Sequence, residues 1–446
     1  MAESWEEVTE QMRRDWNARA REDTGYYVAF GRREQSDAEF LASAGDVVRR
    51  LGNELRRICG RGASPAAGVS GLKALEIGCG PGRLMRPMAR RFLELHGVDV
   101  SDEMIARAKE RLGDVPNAHP HVSDGSTLAM FGEENFDFVY SYAVFQHIPS
   151  REVVFEYLKE ARRVLKTGGI ACFQFNGLPR TAAAPNTWSG IRIDSHDLLE
   201  FAASHDFQVL ALDGASTQYL WTTWRKRDAG WFTAQQQPLE GGLPADFRVR
   251  RITNAYSSEP LATSCGRFAG ISIWTENLPP DAGLHHLRVI VGNSVGTVIA
   301  IQPPDSGGIQ KVAVQLPELE ATGLLPVEIL WRECLIAPAA TIRVIPPGPS
   351  VPRIQSVTDG INLTASGVIE TRLVKVTFED LTHPEEIQAS IEGHFAMDLE
   401  YFCTDPRTQR FEIDFRLPEE IGPGEHTLEL HLGKRKFPHI ILEVTA

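Results

Sequence analysis

The chain predicts an α/β domain of alternating strands and helices, preceded by a helical segment and followed by two all-β modules. Three observations carry that reading. A short apolar run from Lys73 to Ile77 ends in glycines at 78, 80 and 82, then passes into helical residues. Strand-like and helix-like stretches alternate from there to about residue 228. From Phe247 onward the pattern becomes short strands punctuated by turn residues, and it repeats at an offset of 101.

Length and composition bound the rest. At 446 residues the chain exceeds a single hydrophobic core. Its 42% hydrophobic and 24% charged residues are ordinary for a globular protein. A net charge of −13 argues against a nucleic-acid partner, since phosphates need a basic face. Trp5-Glu6-Glu7 is the wrong chemistry for a secretory leader, and no apolar run is long enough to signal a membrane span. Cys59, Cys79, Cys172, Cys265, Cys334 and Cys403 are scattered without a C-x-x-C pair. They read as reduced thiols of a cytoplasmic protein, with no metal site expected.

Residues 1–70 read as a helical lid. Trp5, Val8, Met12 and Trp16 recur at helical spacing. A second helix starts at the caps Ser36 and Asp37 and carries Phe40, Leu41, Ala44, Val47, Val48, Leu51 and Leu55 on one stripe. Gly25 to Phe30 between them is an aromatic connecting segment. Tyr26 and Tyr27 either pack the two helices or close over a bound cofactor. Gly60 to Gly71 is the loop into the first strand.

Residues 71–228 form the α/β domain. Its first strand and elbow read Glu76-x-Gly78-x-Gly80-x-Gly82, without the gap of a dinucleotide G-x-G-x-x-G. A second strand, Leu93 to Val100, contains Asp99, and a third ends at His121-Val122-Ser123-Asp124-Gly125. Phe136 to Tyr142 is a fourth strand, followed by Ala143-Val144-Phe145-Gln146-His147-Ile148-Pro149. A helix at 151–165, the turn Lys166-Thr167-Gly168-Gly169 and strand Ile170 to Asn176 come next. A late helix and two closing strands, 208–213 and 218–225, complete the pattern.

These segments, taken in register, resemble the class I S-adenosylmethionine (SAM)-dependent methyltransferases, and the strand-four run resembles the ubiquinone- and menaquinone-biosynthesis type. The resemblance implies a Rossmann-like seven-stranded domain, SAM as cofactor and S-adenosylhomocysteine as product. It implies that Glu76, Gly78, Cys79, Gly80 and Gly82 hold the methionine end, and that Asp124 and Gly125 meet the adenine edge. Tyr142 and Val144 would line the strand-four side. Asp99 lies 21 positions after Gly78, which suits the ribose diol at the edge of the neighbouring strand, with Val100 beside it. Met104 either covers the adenine or packs the core. His147 either takes a proton from the acceptor or braces the helix beside the cofactor. Gln146 departs from the His-His pair common in these enzymes. In the insertion Gly177 to Ile193, Trp188, Arg180 and Arg192 are the residues to touch an acceptor, although solvation explains the arginines equally well.

Residues 229–246 have linker composition. The first module, 247–347, is expected to carry strands at 269–276, 285–292, 296–302, 310–316, 326–332 and 340–345. Its Val312, Val314, Leu316-Pro317-Glu318 and Gly323 align with Ile413, Phe415, Leu417-Pro418-Glu419 and Gly424 of the second, 350–446. Both resemble bacterial immunoglobulin-like sandwiches. Their expected uses are scaffold, homodimer contact or recognition of a large acceptor. The whole then reads as a methyltransferase acting on an O, N or S atom of a small-molecule or carrier- or glycan-borne acceptor. The alternative is a non-catalytic SAM-binding protein whose modules bind a partner.

Overall fold

The structure, a computed structural model, describes residues 5–29, 33, 35–59, 71–181, 184–237, 239, 246–266, 268–337, 340–348, 351–361, 367–406 and 408–445. It divides into two compact units, Met1–Thr24 with Leu41–Pro347, and Gly25–Phe40 with Gly348–Ala446. The expected loop 60–70 lies outside the described residues, apart from its end at Gly71.

The first unit is built on β1 (Lys73–Ile77), β2 (Glu94–Asp99), β3 (Ala118–Val122), β4 (Phe136–Ser141), β5 (Leu165–Phe175), β6 (Phe207–Asp213) and β7 (Leu220–Lys226). They stand in the order β3-β2-β1-β4-β5-β7-β6, with β7 antiparallel to both neighbours and the first five strands parallel. Alternate residues of each strand face opposite sides, so a sheet covered on both faces reads as a continuous apolar run. Leu75 and Ile77 join Val139, Phe173 and Trp224 on one side. Ala74 joins Phe138, Tyr140 and Cys172 on the other.

The helices are α1 (Trp5–Ala29), α2 (Asp37–Ala42), α3 (Gly45–Cys59), α4 (Met85–Ala89), α5 (Asp102–Arg111), α6 (Arg151–Val164), α7 (Ser195–Ser204) and α8 (Trp231–Gln235). Packed with the first core face are α6 and α7 residues such as Leu158 and Leu198. Leu51 of α3, Met88 of α4 and Ile105 of α5 belong to the second.

Three local expectations change. Gly25 to Ala29, read as a connector, is the end of α1, which kinks at Asp23 (φ −159°, ψ 94°). The helix expected from Ser36 onward breaks at Ser43-Ala44, although Ser36 and Glu39 do form a reciprocal capping box (3.0 and 3.3 Å). The Lys166 to Gly169 turn falls inside β5 as a bulge, with Gly168 at φ +84° and the pairing with β4 shifting between Phe136 and Phe138.

Beyond α8, the first unit continues in β8 (Arg248–Asn254), β9 (Leu261–Thr263), β10 (Gly270–Glu276), β11 (Leu287–Val291), β12 (Ser294–Ile301), β13 (Ile309–Gln315), β14 (Gly323–Trp331), β15 (Cys334–Leu335) and β16 (Ala340–Ile345). One sheet is β8-β10-β13-β12 and the other β9-β16-β14-β11. β12 starts against β11 and crosses over to β13, so it belongs to both. Ile271, Ile273 and Val312 of one sheet share a core with Val289, Ile329 and Ile342 of the other.

Residues on either side of the expected linker fall in one compact unit. The open edge of β6 bridges β12 at Ala211 and Ala300. Gln208, buried in β6, donates to the carbonyls of Pro280 (2.9 Å) and Ala282 (2.6 Å). Leu284 donates its N–H to Val209 (2.9 Å), and Arg227 pairs with Asp281 (2.7 Å). Within the linker itself, α8 is tied by Gly230 and Phe232 N–H groups to the Asp206 carboxylate.

In the second unit, Arg353–Asp359, Leu373–Glu379, Arg410–Arg416 and Glu400–Asp405 make one sheet. The other holds Val368–Ile369, Ile440–Val444, Gly424–Leu432, Ile387–Ile391 and His394–Phe395, with Arg435–Lys436 on Gly424–Leu432. Val376, Phe378 and Phe415 meet Ile387, Leu428 and Leu442 in its core. The strand order matches that of β8–β16, with His394–Phe395 and Glu400–Asp405 together in the place of β12.

Candidate functional site

The elbow after β1 is clipped to the neighbouring strand. Gly78 and Cys79 both donate N–H groups to the Val98 carbonyl (2.7 and 2.9 Å). Gly78 has φ +71°, and a Cβ there would lie 2.3 Å from the Val144 side chain, so only glycine fits. That contact brings the segment after β4 onto the elbow. Ser141 adds a hydrogen bond from its hydroxyl to the Ile77 carbonyl (2.9 Å).

Two carboxylates converge there. Asp99 accepts the Gly80 N–H (2.9 Å) on one oxygen and the Ser101 N–H (2.9 Å) on the other. Burial pushes its carboxyl up to about 6, against the pull of those backbone bonds. Glu76 is buried and accepts the Tyr140 hydroxyl (2.8 Å). Burial raises it to about 8, with the Tyr140 hydrogen bond and nearby Arg83 pulling the other way. A buried carboxyl so raised is neutral at pH 7 and ionises once a cation is brought against it. Ser101 caps α5 by accepting the Met104 N–H (3.1 Å), and Met104 itself is buried.

The remaining expected residues divide into groups. Gly125 (φ +91°) lies against Val100, since a Cβ would sit 2.8 Å from its side chain. Asp124 turns back on its own loop, accepting N–H groups from Ser126 (2.8 Å) and Thr127 (2.7 Å). Burial raises its carboxyl, but these bonds and the Thr127 hydroxyl outweigh it and hold it below the usual range. Tyr142 stacks on Trp221 (5.4 Å, 13°), with Arg83 5.9 Å from its ring. Tyr26 and Tyr27 form an edge-to-face pair (5.1 Å) in the other compact unit.

His147 lies in a knot of side chains. Its Nδ1 is 2.6 Å from the Trp188 carbonyl, which makes that nitrogen the protonated one and leaves Nε2 to accept from Gln146 (3.3 Å). Gln174 donates to Gln146 (3.1 Å) and accepts the N–H of Ala143, a non-glycine at φ +57°. Trp16 and Trp188 flank the imidazole (5.3 and 5.4 Å). Burial drives its pKa down to about 4, the Trp188 carbonyl opposing and Arg19 assisting. Arg180 is held by Asp197 (2.6 Å), and Arg192 by the Pro179 carbonyl (2.5 Å).

Several residues were not anticipated from sequence. On α1, Arg13 donates to the Val100 and Ser123 carbonyls (3.2 and 3.1 Å), and Asn17 accepts the Ser101 hydroxyl (2.6 Å). Arg19 reaches Thr187 in the insertion (2.9 Å). Their helical stripe gave no sign of these polar partners. Arg83 and Gln174 carried a weak signal: a cation directly after the third glycine, and an amide between two phenylalanines in a buried strand.

Residues 75–173 match a family described as a methyltransferase domain. The expected methyltransferase domain is thereby borne out. Its curated relatives include phosphoethanolamine N-methyltransferase 2 of Caenorhabditis elegans, 37% identical over 101 residues, 22% of each chain. Ubiquinone biosynthesis O-methyltransferase of Roseobacter denitrificans is 34% identical over 122 residues, 27% of this chain and 47% of that one. Malonyl-[acyl-carrier protein] O-methyltransferase 1 of Ilyobacter polytropus is 33% identical over 105 residues, 23% of this chain and 37% of the relative. The chain thus spans less than half the length of these three relatives. Among solved structures, phosphoethanolamine N-methyltransferase 1 of Haemonchus contortus has 14% identity and a TM-score of 0.37, covering 51% of each chain. Among the described residues, no group of three or more His, Cys, Asp or Glu is arranged to hold a metal ion, and no helix is long and apolar enough to cross a membrane.

Proposed function

We propose that this protein transfers a methyl group from SAM to an O, N or S atom of a small or carrier-borne acceptor. The observation that carries this reading is the convergence of Asp99 and buried Glu76 on an elbow whose Gly78 has room for no side chain. The residues present fit the cofactor: a buried carboxyl that ionises beside a cation, a second carboxyl one strand over, and a glycine elbow between them. SAM supplies an electrophilic methyl on a sulfonium. Glu76 holds the cationic amine end, Asp99 the ribose diol, and the Val100–Gly125 contact borders the adenine.

His147 serves as a brace. With its pKa near 4 and both ring nitrogens engaged, it holds Trp188 and Gln146 in place rather than taking a proton at neutral pH. Rate then comes mainly from holding the acceptor in line in a water-poor site. The range of acceptors named among the relatives supports a small or carrier-linked one. Residues 71–228 are the catalytic domain, and 247–347 and 350–446 are immunoglobulin-like sandwich modules, supported by their shared two-sheet pattern.

Titration calorimetry with SAM tests the reading. Because binding a cation favours ionised Glu76, whose carboxyl starts at about 8, complex formation at pH 7 releases about one proton. Glu76→Gln abolishes that release and weakens SAM at least about tenfold. SAM that fails to bind at millimolar concentration sinks the assignment. Binding without label transfer to any fraction of a metabolite pool leaves the non-catalytic alternative.

A further inference from the structure

Beside Tyr142, the first unit holds a groove of about 720 Å³. One wall is α3, which contributes Arg49, Arg50, Arg56 and Arg57 against Asp46 and Glu54. A second wall is Tyr142, Tyr219 and Trp221, with Asp213 at the end of β6. The third is Ala300, Gln302 and Pro303, from β12 and the turn beyond it. Tyr142 follows β4, Asp213 ends β6 and Tyr219 precedes the antiparallel β7, so the groove opens at the carboxyl edge of the sheet. Ligands of open α/β sheets bind at that edge.

The charge of the groove differs from that of the chain. Four arginines face three carboxylates there, whereas the chain as a whole carries −13. Three of the arginines are occupied. Arg57 is buried against Glu54 (2.6 Å) and donates to the Ile301 carbonyl (2.7 Å), Arg56 donates to the Pro304 carbonyl (2.7 Å), and Arg49 pairs with Asp46 (2.8 Å). Arg50 is different. Its guanidinium lies over the Trp221 ring at 4.4 Å and 3.9 Å from Asp213, beyond hydrogen-bond length. Among the described residues no hydrogen bond from Arg50 to the protein is recorded, and its side chain is 39% exposed.

A continuous stack joins this cation to the elbow. Arg50 lies on Trp221, Trp221 on Tyr142, and Tyr142 lies beside Arg83, whose charge is felt by Glu76. We propose that the groove receives the methyl acceptor, and that this acceptor is an elongated molecule with an anionic group, phosphate or carboxylate, bound by Arg50. The aromatic wall supports its body, and the first β module forms the far side of its site. This rests on the methyltransferase reading above. It gives the module a reason to be joined to the catalytic sheet: without it, the groove has only two walls.

The test uses fluorine NMR on the full chain with 4-fluorophenyl phosphate, 4-fluorobenzoate and, as the neutral control, 4-fluorophenol. At least one anionic probe broadens on binding while the phenol does not, and which anion binds tells phosphate from carboxylate. Arg50→Glu weakens that probe about tenfold or more, the size of one charge-assisted hydrogen bond, with Arg50→Gln as a milder second variant. Gln302→Trp, at an exposed position on the module, weakens it as well by narrowing the groove. SAM affinity, measured in parallel, stays within about twofold in all three variants. The proposal is overturned if no anionic probe binds, if the phenol binds as well as the anions, or if either the Arg50 variants or Gln302→Trp bind the probe unchanged. Anion binding through Arg50 in a protein that ignores SAM overturns the acceptor role along with the methyltransferase reading, whereas SAM binding without anion binding removes the groove alone.

Discussion

The two β modules share a strand order and a pattern of core residues, yet they keep different company. In the first, the stretch Pro279-Pro280-Asp281-Ala282-Gly283-Leu284 lies on β6, and a Cβ on Gly283 would be 3.2 Å from the Val209 carbonyl. In the second, the corresponding stretch ends in Pro384-Glu385-Glu386, a short turn whose two acids are exposed. The edges differ in the same way. Ala300 of β12 bridges β6, while Tyr401 and Phe402 of the matching strand are 40% and 46% exposed. The inner face of a module decides its fold, and a few loop and edge residues decide what it is joined to. Two glutamates cannot be buried against a sheet edge without a desolvation cost that no partner there offsets. A glycine, an alanine and two free carbonyls can.

Truncation puts the greatest strain on this contrast. A chain ending at residue 228 leaves the β6 edge open and Gln208 without its carbonyl partners, so it should aggregate or lose cooperative unfolding. A chain ending at Pro347 strips Gly25–Phe40 of the rest of its unit but keeps the β6–β12 junction, so its first unit should melt cooperatively, as judged by circular dichroism and size-exclusion chromatography. A soluble, cooperative 1–228 fragment would show that the first module is as detachable as the second.

Point substitutions sharpen the same contrast. Gln208→Ala strands the buried carbonyl of Ala282, while that of Pro280 keeps Arg227, and should cost about 1–3 kcal/mol in urea unfolding. Gly283→Val forces a side chain against β6 and should cost a similar or slightly smaller amount, about 1–3 kcal/mol. Acid should act on the junction too. Burial, with His285 and Arg332 nearby, pushes His286 down to about 4, so the docked module favours the neutral ring. That stabilisation is complete above about 6.5 and is lost as pH falls toward 4. His286→Gln should therefore flatten the fall in melting temperature between pH 6.5 and 4. The smallest effect is expected at the matching place in the second module, where Pro384→Val should stay within about 0.5 kcal/mol.

Much of the fold was legible because its signals are local. The buried run of β1, the alternate glycines and the Ser36 cap are each contained in a short window of sequence, and the 101-residue repeat shows as two such windows that match. The elbow glycines and Asp99 could be singled out for the same reason, and the structure does bring them within hydrogen-bond distance. Asp124 and Tyr142 were singled out by resemblance, but their side chains engage Thr127 and Trp221, neither of which the resemblance mentions. The end of α1 was misread because Gly25 and two tyrosines weaken the helical pattern, and residues packed within a compact unit can override that weakness.

By itself, the sequence determined where strands, elbow and modules lie, since periodicity and turn chemistry act over a few residues at a time. Only the tertiary structure decided that Arg57 meets the Ile301 carbonyl 244 positions away, that Arg13 spans the ends of two strands, and that one of two similar modules closes the edge of the seven-stranded sheet. Such contacts depend on which surfaces lose water together once the chain has folded, and no short window of sequence carries that information.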